Sequence, residues 1–211
     1  MDGAVVVLVL IILIILILVA CWSMKGTSCA NPGPIKPCSP AFDRQLGIMY
    51  SEWLSHLFWT KIVVEKAKAG DHCLQASINR LLQNQVELGN NLAFFYGRGA
   101  GQTYTNLLTT HINQAITIVT MLLAGQDASS VITAWYQNAN DIADFLASLN
   151  PLIDPVVMRQ HMKEHLDSLI VQVAAILRGD CQGAIAAFDV GRAHIIDMTT
   201  YITTKIREQK C

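Results

Sequence analysis

Apolar residues recur at three- and four-residue spacing in six successive runs, and no stretch alternates with period two long enough to suggest a sheet. The spacing predicts a first helix from Ser39-Pro40 to about Lys68, with Met49, Trp53, His56, Leu57, Thr60 and Val64 on one face. A second covers about Asp71 to Tyr96 on the stripe Leu74, Ile78, Leu81, Leu88 and Phe95, beside a polar row of Asn84, Glu87 and Asn91. A third covers about Gln102 to Ala124, with Tyr104, Leu108, His111, Ala115, Ile118 and Leu122 on one face. The fourth runs from about Ser129 to Leu149, and the fifth from the Asp154-Pro155 start signal to Leu177. The sixth runs from Asp180 to near the C-terminus, with Ala187, Val190, His194, Met198 and Tyr201 facing inward. The expected fold class is all-α, a bundle of about six helices in three antiparallel hairpins.

The hairpins look like copies of one unit. His56, His111 and His165 are 55 and 54 residues apart, and each lies 14 residues before a turn glycine, Gly70, Gly125 or Gly179. A fixed period of this size signals a repeated supersecondary unit, here about 45–97, 101–150 and 154–205. The Gly97-Arg98-Gly99-Ala100-Gly101 stretch is expected to connect the first two hairpins. It is not a phosphate loop, which needs a preceding strand and a Lys-Ser/Thr after the last glycine.

The bundle fills about 41–211, and a different composition precedes it. After a tail, 1–3, residues 4–22 carry no charge, and nineteen residues span roughly 28 Å as a helix, enough to cross a bilayer core. The alternative, a cleaved signal peptide, lacks a basic n-region, since Asp2 is the one charged side chain before the apolar run; Ala20-Cys21 leaves a lipobox-like cleavage in play. Residues 23–40 form a Pro/Gly/Cys linker, and its Lys25 and Lys36 weakly favour the bundle on the cytoplasmic side. The expected localisation is therefore a membrane, single-pass, with the lipid bilayer as partner and the orientation open. Acids and bases are interspersed, with no basic run or aromatic-basic interleaving, so nucleic acid is not an expected partner.

Residues as far beyond each turn as its histidine lies before it share that histidine's height. This could bring His56, Glu87, His111, Asp141, His165 and His194 into one layer, with Asp189 about a turn away. Imidazoles and carboxylates projecting inward from several helices are how bundles hold zinc or iron-type metals, so these six are the candidate ligands of a divalent transition metal. Asn84, Asn138 and Asn140 are candidates to hold the second ring nitrogens. Two other readings compete: a structural layer in which each histidine is satisfied by an acid on its partner helix, and a ligand pocket built on that layer. His161-Met162-Lys163-Glu164-His165 spells the inverted zinc-protease motif, but His161 aligns with Leu107 and only 46 residues follow. No serine sits in a nucleophile elbow, no catalytic constellation is spelled out, and the sequence leans away from an enzyme.

Cys73 and Cys181 follow hairpin turns at one end of the bundle, and Cys38 and Cys211 belong to the other. Either end-matched pair could form a disulfide, which would imply an oxidising compartment, and unpaired thiols are the alternative. Cys21 and Cys29 are candidates for acylation.

Several motifs over about residues 45–205 carry a resemblance: Asn84-Gln85-x-Glu87-Leu88-Gly89, Phe95-Tyr96-Gly97, Leu107-Leu108-x-x-His111-Ile112, Trp135-Tyr136-x-Asn138-Ala139-x-Asp141-Ile142-Ala143-x-Phe145-Leu146, His165-Leu166, and Phe188-Asp189 before His194. The chain resembles a family of small, largely uncharacterised helical-bundle proteins of bacteria and large DNA viruses. The family pattern carries a further histidine where this chain has Arg192, and it does not usually include an N-terminal anchor. The resemblance implies a bundle without established chemistry, placed here in a virion or cell-envelope membrane. The expected function is a non-enzymatic, membrane-tethered structural or interaction module. The alternative is a metal-binding His/carboxylate bundle with redox or hydrolytic activity.

Overall fold

A computed structural model describes residues 38–211. The 4–22 stretch, most of the linker, Cys21 and Cys29 lie outside these residues. Among the described residues there are six α-helices and no strand: α1 (Pro40–Ala69), α2 (Leu74–Tyr96), α3 (Arg98–Leu123), α4 (Ser129–Leu149), α5 (Pro155–Arg178) and α6 (Cys181–Lys210). None of these helices is long and apolar enough to cross a membrane.

Local chemistry starts and stops the helices where the sequence marks them. Ser39 caps α1 by accepting from Phe42 N, and Pro40 follows in the first turn, where its missing N–H costs nothing. Asp154 caps α5 in the same way, accepting from Val156 N at 2.7 Å ahead of Pro155. The three hairpin turns share one geometry. Gly70, Gly125 and Gly179 have φ of 63°, 67° and 77°, a left-handed conformation that a side chain would strain. In each, the residue after the glycine donates back to the carbonyl five positions earlier: Asp71 to Lys66, Gln126 to Met121 and Asp180 to Ala175. This is the Schellman pattern of helix termination, used three times.

Each helix packs on its sequence neighbours, α6 returns to α1 to close the ring, and α1 also reaches α3 and α5. The up-down order makes α1, α3 and α5 parallel. The core runs through all six helices, and Ile142, Met158, Leu166, Ile195 and Met198 have no measurable exposure. Removing each such side chain from water contributes about 1.5–3 kcal/mol.

Two expectations about the helices need correction. α3 begins at Arg98, inside the expected glycine connector. The reason is a close approach between α2 and α3: a Cβ on Gly101 would overlap the Gly89 carbonyl oxygen and Ala93, and one on Gly89 would meet Thr105 and the Gly101 carbonyl. α6 is rotated from the expected face. Ala187, Gly191, Ile195, Met198 and Ile202 point inward, while Val190 is 64% exposed. Bare Gly191 lets α6 approach Ser168 and Leu57, so the stripe through Ile195 is buried and His194 is turned toward the edge.

Cys38 and Cys211 are disulfide-bonded, with Cα atoms 5.7 Å apart, tying the start of α1 to the end of α6. Cys73 and Cys181, weighed as a second pair, are free and exposed. Each is engaged by its own turn: Cys73 N donates to Asp71 Oδ1, and Cys181 Sγ rests on Gly179 O.

Two stability predictions follow from this packing. Gly101→Ala should cost about 1–3 kcal/mol in urea unfolding, because the new methyl meets backbone that cannot move aside. Gly47→Ala, on the exposed face of the third turn of α1 with open space at its Cβ, should gain up to about 1 kcal/mol; similar shifts in both variants would contradict the close approach. Reduction of the Cys38–Cys211 bridge, which closes a loop of 173 residues, should remove about 2–5 kcal/mol of stability, and an unchanged urea midpoint under reductant would refute it.

Candidate functional site

Three of the expected layer residues meet in the bundle interior. α1, α3 and α5 are parallel, and their histidines stand equally far from equivalent turns, so equal helical rise brings the rings to one height. His56, His111 and His165 are 2%, 2% and 1% exposed. His165 is the middle member, with ring centroids 5.8 Å from His56 and 6.4 Å from His111. Trp53 packs edge-on against His56 and His165, and Trp135 lies against His111.

Amides on the partner helices, rather than acids, face these rings. His111 Nδ1–H donates to Asn138 Oδ1 at 2.8 Å, and Gln85 Nε2 approaches His56 Nδ1 at 3.4 Å. The third hairpin breaks the repeat. His165 has no hydrogen-bond partner at either ring nitrogen, and His111 Nε2 has none. Burial lowers the pKa of His56 to about 4 and that of His111 to about 3. His165 is held well below its ordinary value, first by burial and then by the neighbouring His56 and His111. All three are neutral at pH 7.

The other three expected members lie elsewhere. Glu87 is paired with Arg80 at 3.0 Å and partly exposed, and Asp141 is exposed, accepting from Gln137. An ionised carboxylate is too costly in an apolar interior without a cation beside it, so the amides at Gln85 and Asn138 take the inward positions. His194 sits half-buried between α5 and α6. The six residues therefore do not converge on one point. The rings that do meet are packed rather than aimed at a common centre, His111 and His165 lying 25° from parallel.

Beside this layer, toward the hairpin turns, lies a cavity of about 290 Å³ between α1, α2, α3, α4 and α5. Val64, Leu81, Ile112, Val119, Ile132 and Leu169 are in its wall, and no charged side chain lines it. Thr60 is a polar member of the wall, and its hydroxyl is spent on the His56 carbonyl at 2.7 Å. Trp135 joins the two features, since it lines the cavity and packs on His111. Leu122 and Ile170, 41% and 36% exposed, leave an apolar mouth. Nothing in the sequence marks this cavity, because periodicity reports which face is buried and not how well the space is filled.

A second polar cluster was also missed. His161 and Glu164 on α5 meet His194 on α6, and one ligand atom of each lies within 4.8 Å of the other two. The inverted-protease motif had paired His161 with His165, but these point to different sides of α5, His165 into the core and His161 toward α6. A similar set of ligand atoms, Asp71, His72 and Cys73, occupies the α1–α2 turn. No family model, curated protein or solved structure matches the chain.

Three buried neutral imidazoles make stability depend on pH. Their folded pKa values lie below the unfolded value near 6.5, so on acidification the unfolded chain takes up protons first. Their contribution is complete above about pH 6.5 and drains as pH falls toward 4 and below, by up to about 1.4 kcal/mol per pH unit for each group. Urea unfolding between pH 6 and 5 should show a slope about one proton smaller for His165→Leu than for the parent. Equal slopes would mean that His165 is not buried neutral.

Proposed function

We propose that the protein is a non-enzymatic binding module, held at a membrane by residues 4–22, whose bundle takes up a hydrocarbon chain. The observation that carries this reading is the cavity: its wall has no charged group, its one hydroxyl is already bonded, and its mouth is apolar. Ligand sites between the helices of bundles have this character. A dry cavity of about 150 Å³ admits benzene, so about 290 Å³ accommodates on the order of twelve carbons. A charged headgroup would stay outside, since no charged side chain lines the wall to pair with it.

The Cys38–Cys211 bridge favours the oxidising side of the membrane for the bundle, against the weak charge bias of Lys25 and Lys36. A place in a virion or cell envelope follows from the family resemblance of the motifs and belongs to the same proposal.

Full-length protein in nanodiscs, titrated with brominated dodecanoic acid, tests it through quenching of Trp135 in the cavity wall. A saturable component should appear, and Ala115→Phe, which fills the cavity from α3, should weaken it at least tenfold. Absence of a saturable component, or one unaffected by Ala115→Phe, would refute the reading.

A further inference from the structure

We propose that His161, Glu164 and His194 form a zinc site between α5 and α6, with two imidazoles and one carboxylate as protein ligands and a fourth position open to water. The site is separate from the apolar cavity and does not rest on it.

Hydrogen bonds to His194 and Glu164 decide which lone pairs these two ligands present. His194 Nε2 donates to the His161 backbone carbonyl at 2.8 Å. That bond fixes the tautomer, so the neutral ring presents the lone pair of Nδ1. Nδ1 faces Glu164 Oε2 at 3.4 Å. A protonated histidine bonded to a carboxylate closes to about 2.7–2.9 Å, and these two atoms do not. Two ligands held about 2.0–2.1 Å from one ion at a tetrahedral angle stand roughly 3.3 Å apart, which is the spacing observed. The other oxygen of Glu164 is already occupied: Gln160 Nε2 donates to Oε1 at 2.6 Å, leaving Oε2 turned to His194.

His161 completes the set. It contributes a ring nitrogen within 4.8 Å of the other two ligand atoms, and its Nδ1 is buried without any partner. Its ring lies against Tyr201, centroids 5.2 Å apart, and 5.6 Å from the ring of His194. Hydrogen bonds orient two of the three ligands, His194 and Glu164, as the outer partners of a metal site do. The donor set suits zinc, which accepts imidazole and carboxylate together, and thiolate is absent from it. Glu164 is 49% exposed, so an ion can enter from solvent and keep a water.

The test uses the full chain, without a histidine tag, in nanodiscs. Zinc titration by calorimetry should show one site, with thermal unfolding raised by about 5 °C or more at a hundredfold excess over Kd. Cobalt in place of zinc should give the visible bands of a four-coordinate nitrogen/oxygen site without sulfur charge transfer. Glu164→Gln is nearly isosteric at a half-exposed position and keeps the fold testable; it and His194→Gln should each weaken binding at least tenfold. Cys73→Ser should leave it unchanged, which separates this cluster from the turn at Asp71-His72-Cys73. Zinc binding that survives both Glu164→Gln and His194→Gln, a cobalt spectrum dominated by sulfur, or no zinc binding below about 100 μM would each overturn the proposal.

Discussion

The left-handed glycine at each hairpin turn is the constraint on which the rest of the bundle depends. Gly70, Gly125 and Gly179 end α1, α3 and α5 in one geometry, with the same pair of backbone hydrogen bonds. Because the three helices run parallel, identical endings put equivalent positions at equal heights. That register places His56, His111 and His165 in one layer, and it opens the apolar space between the layer and the turns. Lys68 reinforces it from α1, donating to the terminal carbonyls of Ile176 and Leu177 on α5, where the helix dipole favours a cation.

The histidine layer divides the bundle into two unlike halves. On the turn side the interior is apolar and incompletely filled, and the cavity lies there. On the other side, α1 and α6 are joined by the Cys38–Cys211 bridge and by Arg207 with Asp43, and His161 and His194 meet at the α5–α6 edge. The layer itself is neutral. An interior without a carboxylate cannot hold three imidazolium charges, so desolvation keeps the rings uncharged, and no side chain within reach gives His165 a hydrogen bond. A buried polar group in that condition is a place where bundle stability answers to pH.

The three hairpins share their turn geometry but not all of their side-chain contacts. The first two hairpins pair a histidine with an amide, His56 with Gln85 and His111 with Asn138. In the third, Gly191 brings α6 close to α5, the amide is missing, and His194 faces the edge with Glu164. The hairpin without this contact is the one that carries the separate His/Glu cluster.

The sequence alone determined the elements and their register. Period 3.6 located the six helices, Ser39-Pro40 and Asp154-Pro155 marked two starts, and the equal His-to-Gly intervals set three imidazoles at one height. These are local or additive signals, carried along a single helix. Tertiary packing decided the rest. The fit of Gly89 against Gly101 turned an expected connector into the first turns of α3, and Gly191 rotated α6 by about one residue. The cost of burying a charge sent Glu87 and Asp141 outward and gave their places to amides. Those outcomes depend on the distance between helices and on the polarity of the space between them, which no interval along the chain encodes.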